Sequence, residues 1–378
     1  MEQTAYIEPG AIARVQDILK ARNPQSVFLV ADPSAYEASG AQSILSPILE
    51  KSPVNIFSTF EPNPKHADIE RGVKHFRHHP GDLLIAVGGG TAIDVAKLIG
   101  ICAAHEAPDQ KILDGSAPIT QPGPPLIAIP TTASTGSEAT QFAVVYINER
   151  KYSLAHAYIL PDYALVDPNL TASLPPSLTG HTGLDALCQA VESLWSVHAT
   201  DQSTAFAEQA LTLVRDNLER AVHHPTPEVR SGMSQAAHLS GRAINISKTT
   251  APHAISYTLT SRFKVPHGLA VALTLGPVLI YNSQVTHQDA TDPRGSEHVQ
   301  KTISKINRLL DCTDALESYQ KINALMRAIG CPTTLREVGV QTQSDIQALV
   351  DNVNIERLFN NPRALTAGTL RDILEGVW

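Results

Sequence analysis

The sequence predicts an α/β domain built on a parallel sheet, followed by an all-α domain. Three features carry that expectation. Short apolar runs alternate with helical patterns through about the first 170 residues. Beyond Asp167-Pro168 the strand-like runs stop and amphipathic helical periodicity takes over. A chain of 378 residues also exceeds what one core of ordinary size holds, so two domains, 1–172 and 173–378, are expected.

In chain order, SVFLVAD (26–32), VNIFSTF (54–60), DLLIAVGGG (82–90) and PLIAIPTT (125–132) are the strand candidates. Each is a continuous apolar run closed by turn residues, the pattern of a strand covered on both faces. Helical patterns over Asp68 to Arg77 and Thr91 to His105 lie between them, which makes βαβ units. In the second half, helices are expected over 183–197, 202–222, 227–245, 298–309, 314–329, 343–352 and 366–376. The polar, turn-rich stretch 282–298 reads as a mobile loop.

Composition removes several classes of function. Hydrophobic residues at 43% and charged residues at 17% describe a globular chain rather than a disordered one. The net charge of −8, with no Lys/Arg block against it, excludes nucleic acid as the main partner. Cys102, Cys188, Cys312 and Cys331 show no C-x-x-C spacing and read as reduced thiols. The first residues lack a basic segment followed by an apolar run. The longest apolar stretch, LAVALTLGPVLIY, is too short for a bilayer and contains Gly276 and Pro277. A cytoplasmic protein with no membrane partner is expected.

Gly88-Gly89-Gly90-Thr91 closes the third strand candidate and opens the helix carrying Asp94 and Lys97. Three glycines let backbone approach a ligand, and a helix N-terminus favours an anion such as a diphosphate. A tight turn needing only flexibility would use the same residues. PTTASTGSE, residues 130–138, sets five hydroxyl side chains after the fourth strand, among them Thr131, Thr132 and Ser137. Ligands of open α/β sheets bind beyond the carboxyl ends of the strands. Two such loops at neighbouring strand ends therefore point to a dinucleotide, against the plainer reading of a Ser/Thr-rich turn. Asp32 ends the first strand candidate, where a carboxylate accepts hydrogen bonds from an adenosine ribose and favours NAD over NADP. It serves equally as a turn residue before Pro33.

GLDALCQAVE, residues 183–192, reads as a helix with Asp185 and Gln189 four apart and therefore on one face. His253 and His267 follow in PHAISY and PHG. Either histidine alone reads as a packed or surface side chain as readily as a ligand. With Asp185 they make an N/O set suited to Fe²⁺, Zn²⁺, Ni²⁺ or Mn²⁺.

Taken together, these stretches resemble the iron-containing (group III, metal-dependent) alcohol dehydrogenase family. GGGTAIDVAK is similar to the family's GGGSxxDxAK, PTTASTGSE to PTTAGTGSE, and GLDALCQAVES to GxDALxHAxE. LPDYALVDPNLTASLPP matches the segment leading into the helical domain, HAISYTLTSRFKVPHG keeps the two family histidines fourteen apart, and FNNPRALT resembles the NPR segment. The resemblance runs nearly end to end. It implies a Rossmann-like N-terminal domain and a helical C-terminal domain of dehydroquinate synthase-like architecture, with the active site in the cleft between. It implies that Gly88, Gly89, Gly90 and Thr91 line the pyrophosphate of NAD(H) or NADP(H), and that Asp94, Lys97, Thr131, Thr132 and Ser137 complete that site. Asp185, His253 and His267 would hold Fe²⁺ or Zn²⁺. The family's fourth ligand, a histidine, is Gln189 here; its amide oxygen can coordinate, though more weakly than imidazole. Tyr257 stands where many members have another histidine near the substrate; facing the cleft, its hydroxyl would relay a proton to the developing alkoxide, and otherwise it is a packed ring with its hydroxyl satisfied elsewhere. The substrate would be a small molecule and the assembly a homodimer.

INISKTTAPHAISY adds Lys248, Thr249 and Thr250 just before His253. A cation beside two hydroxyls suits an anionic substrate group, while Lys248 reads equally as a surface side chain that reaches out to solvent. This stretch, with the Gln, resembles the branch of the family that reduces phosphonoacetaldehyde to 2-hydroxyethylphosphonate. Tyr257 and Lys248 are then the expected catalytic residues. The rivals are a dehydrogenase of uncharged short-chain alcohols or diols, a dehydroquinate synthase-like lyase, and a nucleotide-binding relative whose metal site has decayed at Gln189.

Overall fold

Residues 3–148 and 150–378 are described by a computed structural model of the chain, which divides between Leu174 and Pro175 into two units. The first unit holds strands β1 (Thr4–Ile7), β2 (Val27–Ala31), β3 (Val54–Phe57), β4 (Leu83–Gly88), β5 (Leu126–Pro130), β6 (Phe142–Ile147), β7 (Arg150–Ala155) and β8 (Tyr163–Val166). Six of them form one parallel sheet in the order β1-β8-β5-β4-β2-β3, and β6 and β7 pair antiparallel beside it. The helices are α1 (Val15–Arg22), α2 (Pro33–Ala38), α3 (Ala41–Leu49), α4 (His66–His78), α5 (Gly90–Ala103) and α6 (Asp109–Leu113).

Side-chain alternation explains why the central strands are apolar throughout. Val27, Leu29 and Ala31 of β2, with Leu83, Ile85 and Val87 of β4, face a core shared with α1 and α3. Phe28 and Val30, with Leu84 and Ala86, face the opposite core shared with α4 and α5. Helices cover both faces, so no polar face is needed. The four expected strands are β2 to β5. β1, β8 and the β6–β7 hairpin were not expected. β1 has an exposed pattern on the sheet edge, and β8 is a four-residue strand inside a segment rich in Pro and Asp.

The second unit comprises α7 (Pro176–Trp195), α8 (Asp201–His223), α9 (Pro227–Ser247), α10 (Ala251–Phe263), α11 (His267–Ser283), α12 (Ser296–Leu309), α13 (Ala315–Ala328), α14 (Gln343–Asp351), α15 (Ile355–Leu358) and α16 (Ala367–Glu375). Threonines cap several of them: Thr200, Thr226, Thr342 and Thr366 each accept a backbone N–H at the start of α8, α9, α14 and α16. α7 is buried from Gly183 to Trp195 and packs against α8, α9 and α11. Gly183 permits that approach, because an added Cβ would stand 3.0 Å from Met233 Cε of α9. α10 and α11 were not expected as helices, since burial on all sides leaves no polar face to show a period.

The 282–298 stretch is tethered, which corrects its reading as a mobile loop. Thr291 N donates to Pro362 O at 3.0 Å, and Arg294 binds Asp292, Ser196 O and Ala199 O. Among the described residues no helix is long and apolar enough to cross a membrane, and the four cysteines are free and buried.

Candidate functional site

In the first unit the strand order reverses between β2 and β4, the place where open α/β sheets bind nucleotides. Asp32 closes β2 and Gly88 closes β4 at that point. Asp32 Oδ1 caps α2 by accepting Ala35 N at 2.9 Å and Ser34 Oγ at 2.7 Å. Gly88 has a φ of 149°, and a Cβ there would lie 2.7 Å from the Cβ of Ala92. The structure brings the glycine loop and the hydroxyl loop together: an added Cβ would stand 2.7 Å from Thr135 Oγ1 at Gly90 and 3.4 Å from Thr132 Oγ1 at Gly89.

This cradle fits a dinucleotide. No side chain caps α5, so the N–H groups of its first turn face an approaching anion. The buried Thr131 hydroxyl has no hydrogen-bond partner among the described residues. Asp94, Lys97 and Ser137 are instead bound to one another and to backbone. Ser137 Oγ donates to Asp94 Oδ1 at 2.5 Å, and Val144 N donates to Asp94 Oδ2 at 3.0 Å. Lys97 Nζ donates to Ser137 Oγ at 3.1 Å, Thr140 O at 2.8 Å and Phe142 O at 2.7 Å. Burial pushes Asp94 up and Lys97 down to about 8, each partly offset by the other. The three thus hold the hydroxyl loop against α5.

In the second unit, three separate helices deliver Asp185 (α7), His253 (α10) and His267 (α11) to one place. One ligand atom from each lies within 4.8 Å of the others. Asp185 Oδ1 is 3.5 Å from His253 Nε2 and 3.8 Å from His267 Nε2, and the two rings meet edge-on with centroids 5.4 Å apart. Ligand atoms roughly 2.1 Å from a tetrahedral ion sit about 3.4 Å from one another, so this spacing suits a shared cation. Nε2 of the buried His253 has no hydrogen-bond partner among the described residues, as a ligand nitrogen awaiting an ion would not. The donor set therefore fits a borderline divalent metal. Gly268 makes the assembly possible: an added Cβ would stand 2.9 Å from Asp185 N and press on His181 O.

Sequence reasoning missed Glu192. Its fully buried carboxylate accepts Thr250 N at 2.9 Å, Thr250 Oγ1 at 3.0 Å, His253 N at 3.3 Å and His253 Nδ1 in a short contact. Burial opposes charge on the His253 ring, but Glu192 and Asp185 outweigh it and push the ring up to about 9. A signal was present in the sequence, because Glu192 is seven residues after Asp185 and shares its helical face.

The remaining expected residues have these surroundings. Gln189 is buried on that same face, and its Oε1 accepts Ser240 Oγ of α9 at 2.9 Å. Lys248 is exposed at the α9–α10 junction with φ 62° and ψ 172°, a region that costs a side chain strain. Thr249 is buried, and its carbonyl accepts Asn360 Nδ2 at 2.8 Å. Thr250 departs from its expected role as a substrate contact: its buried hydroxyl accepts Trp195 Nε1 at 2.8 Å and donates to Glu192. Tyr257 is half-buried, one turn after His253 on α10.

A nucleotide cradle on an α/β unit, joined in one chain to a helical unit with a carboxylate–imidazole cluster, defines a nucleotide-linked, metal-dependent oxidoreductase. The chain belongs to the iron-containing alcohol dehydrogenase family: residues 3–168 match that family, and residues 179–378 match its C-terminal part. It is an enzyme acting on alcohol or aldehyde groups, in a family that uses NAD(H) and a metal. It is 35% identical over 302 residues to the phosphonoacetaldehyde reductase of Streptomyces viridochromogenes, covering 78% of this chain and 75% of that one. It is 30% identical to long-chain-alcohol dehydrogenase 1 of Geobacillus thermodenitrificans, over 99% of this chain and 95% of that one. The structure of sulfoacetaldehyde reductase from Bifidobacterium kashiwanohense, solved in complex with NAD⁺, superposes with a TM-score of 0.89 at 28% identity, covering 99% and 96% of the two chains.

Proposed function

We propose that this enzyme reduces a short aldehyde carrying an anionic group, with phosphonoacetaldehyde as the first candidate and 2-hydroxyethylphosphonate as its product. The observation that carries the reading is Lys248, an exposed cation held in strained backbone five residues before His253. Two of the relatives act, by name, on small aldehydes bearing a phosphonate or a sulfonate. The similarity to a long-chain-alcohol dehydrogenase supports a second reading, an uncharged alcohol as substrate.

When bound, the metal polarises the carbonyl as a Lewis acid and the nicotinamide supplies hydride. Asp185, His253 and His267 are the residues that would hold the ion. Three protein ligands leave positions open for the substrate, as catalytic sites require, and Gln189 stays anchored to Ser240. Lys248 binds the anionic end and orients the carbonyl through a remote contact. Tyr257 Oη passes its proton to the substrate oxygen as that oxygen gains charge. Asp32, Gly88, Gly89, Gly90, Thr91, Thr131 and Thr132 take the dinucleotide, while Asp94, Lys97 and Ser137 hold their loop. The reading includes a cytoplasmic homodimer.

The test is NADH oxidation with phosphonoacetaldehyde and with acetaldehyde. A charge-assisted hydrogen bond contributes about 1.5–3 kcal/mol, so Lys248→Ala should raise KM for the phosphonate roughly 10- to 100-fold and leave that for acetaldehyde almost unchanged. An equal effect on both aldehydes rejects the anionic seat.

A further inference from the structure

We infer that Glu192 is a positioning residue for the metal: its carboxylate holds the proton of His253 on Nδ1 and so presents Nε2 to the ion. The inference rests on the metal-dependent reading above.

An isolated carboxylate in the buried last turn of a helix costs several kcal/mol unless its oxygens are occupied. Glu192 has 0% exposure, and α7 around it is otherwise apolar or hydroxyl-bearing from Ala186 to Trp195, apart from Gln189. Its partners all come from the start of α10: Thr250 N and Oγ1, and His253 N and Nδ1. None of these partners is a lysine or arginine, so the negative charge is directed at the one ring it touches.

The hydrogen bonds also have a fixed sense. Trp195 Nε1 has only a proton to give, so Thr250 Oγ1 accepts it and turns its own proton toward Glu192 Oε1. Oε1 of Glu192 thus accepts three hydrogen bonds, and Oε2 of the same carboxylate has no proton to give, so His253 Nδ1 is the donor to it. An ion at Nε2 would take the place of the second ring proton, leaving a neutral imidazole with its proton on Nδ1 and its lone pair on Nε2, the nitrogen 3.5 Å from Asp185 Oδ1. A carboxylate behind a ligand histidine fixes the tautomer and raises the basicity of the ring.

A purely structural role is separable. Glu192 also caps α10 by accepting Thr250 N and His253 N, and a glutamine oxygen would still accept from those groups. The glutamine NH₂ would instead face Nδ1, donate to it, and drive the ring proton onto Nε2. The experiment is chelator-competition titration of the metal-free full-length protein with Zn²⁺, comparing wild type with Glu192→Gln, and with thermal melting in chelator as the control for folding. Affinity should fall roughly 10- to 100-fold while the chelated forms melt alike. Wild-type and variant affinities within twofold of each other overturn the inference and leave the metal reading standing. A wild type that binds no ion removes the metal reading itself. Should the variant fail to fold, nitrogen NMR of ¹⁵N-histidine-labelled, Zn²⁺-loaded wild type decides. Protonated Nδ1 with bound Nε2 at His253 is expected, and a metal on Nδ1 overturns the inference.

Discussion

Lys97 and Glu192 are both buried charges in opposite situations. Glu192 faces a ring that can share its charge, whereas among the described residues Lys97 Nζ donates to neutral oxygens at Ser137, Thr140 and Phe142. Burial accordingly lowers Lys97 from 10.5 to about 8, with Asp94 only partly opposing. Between those values the unfolded chain keeps a proton that the folded chain sheds. Stability from this group therefore rises as pH climbs from 8 to 10.5, and its full cost is present below 8. Urea unfolding of Lys97→Met should show a flatter rise than wild type across that window, and identical slopes would reject the argument. From the sequence, Lys97 was legible only as part of a motif. That its ammonium tethers a loop depends on contacts 40 to 45 residues away, which local pattern does not encode.

At the scale of elements, the metal cluster depends on how closely α11 approaches α7. Gly268 follows His267 at the first turn of α11, and no space exists for a methyl beside Asp185 N and Cβ, at 2.9 and 3.0 Å. Because the obstacle is backbone, Gly268→Ala should destabilise the second unit by about 3 kcal/mol, the upper end of ordinary overpacking, and weaken metal retention. Chemical denaturation with metal analysis checks both, and a variant that retains wild-type stability and metal content would remove the role given to this glycine. The helices with a wet face, such as α8, α9 and α12, were legible to within a few residues. α10 and α11, which carry both histidines, were not legible as helices because every side is covered and Pro277 interrupts the pattern. The residues of the cluster, Asp185, His253 and His267, were still legible as candidates, since the motifs around them are short and contiguous even where helical period is silent.

Across the whole molecule, the cluster residues Asp185 and His267 are 82 residues apart in the chain, so the unfolded state offers no comparable site. Metal should therefore stabilise the fold by about 4 kcal/mol at a thousandfold excess over Kd, a rise in Tm on the order of 10 °C. Differential scanning fluorimetry with metal and with chelator measures it, and coincident melting curves would contradict the site. The two-unit plan, a parallel-sheet unit followed by a helical one, followed from the change in hydrophobic period near Asp167. The edge strand β1 and its neighbour β8 escaped because neighbours, rather than composition, make them strands. The strained peptide at Lys248 carries a last consequence. Glycine occupies φ 62°, ψ 172° without the 1–3 kcal/mol that a side chain incurs there. Lys248→Gly should then raise stability by about 1 kcal/mol while turnover of anionic aldehydes falls. A laboratory screen for heat resistance would favour that change early and recover a sturdier protein that is a poorer reductase.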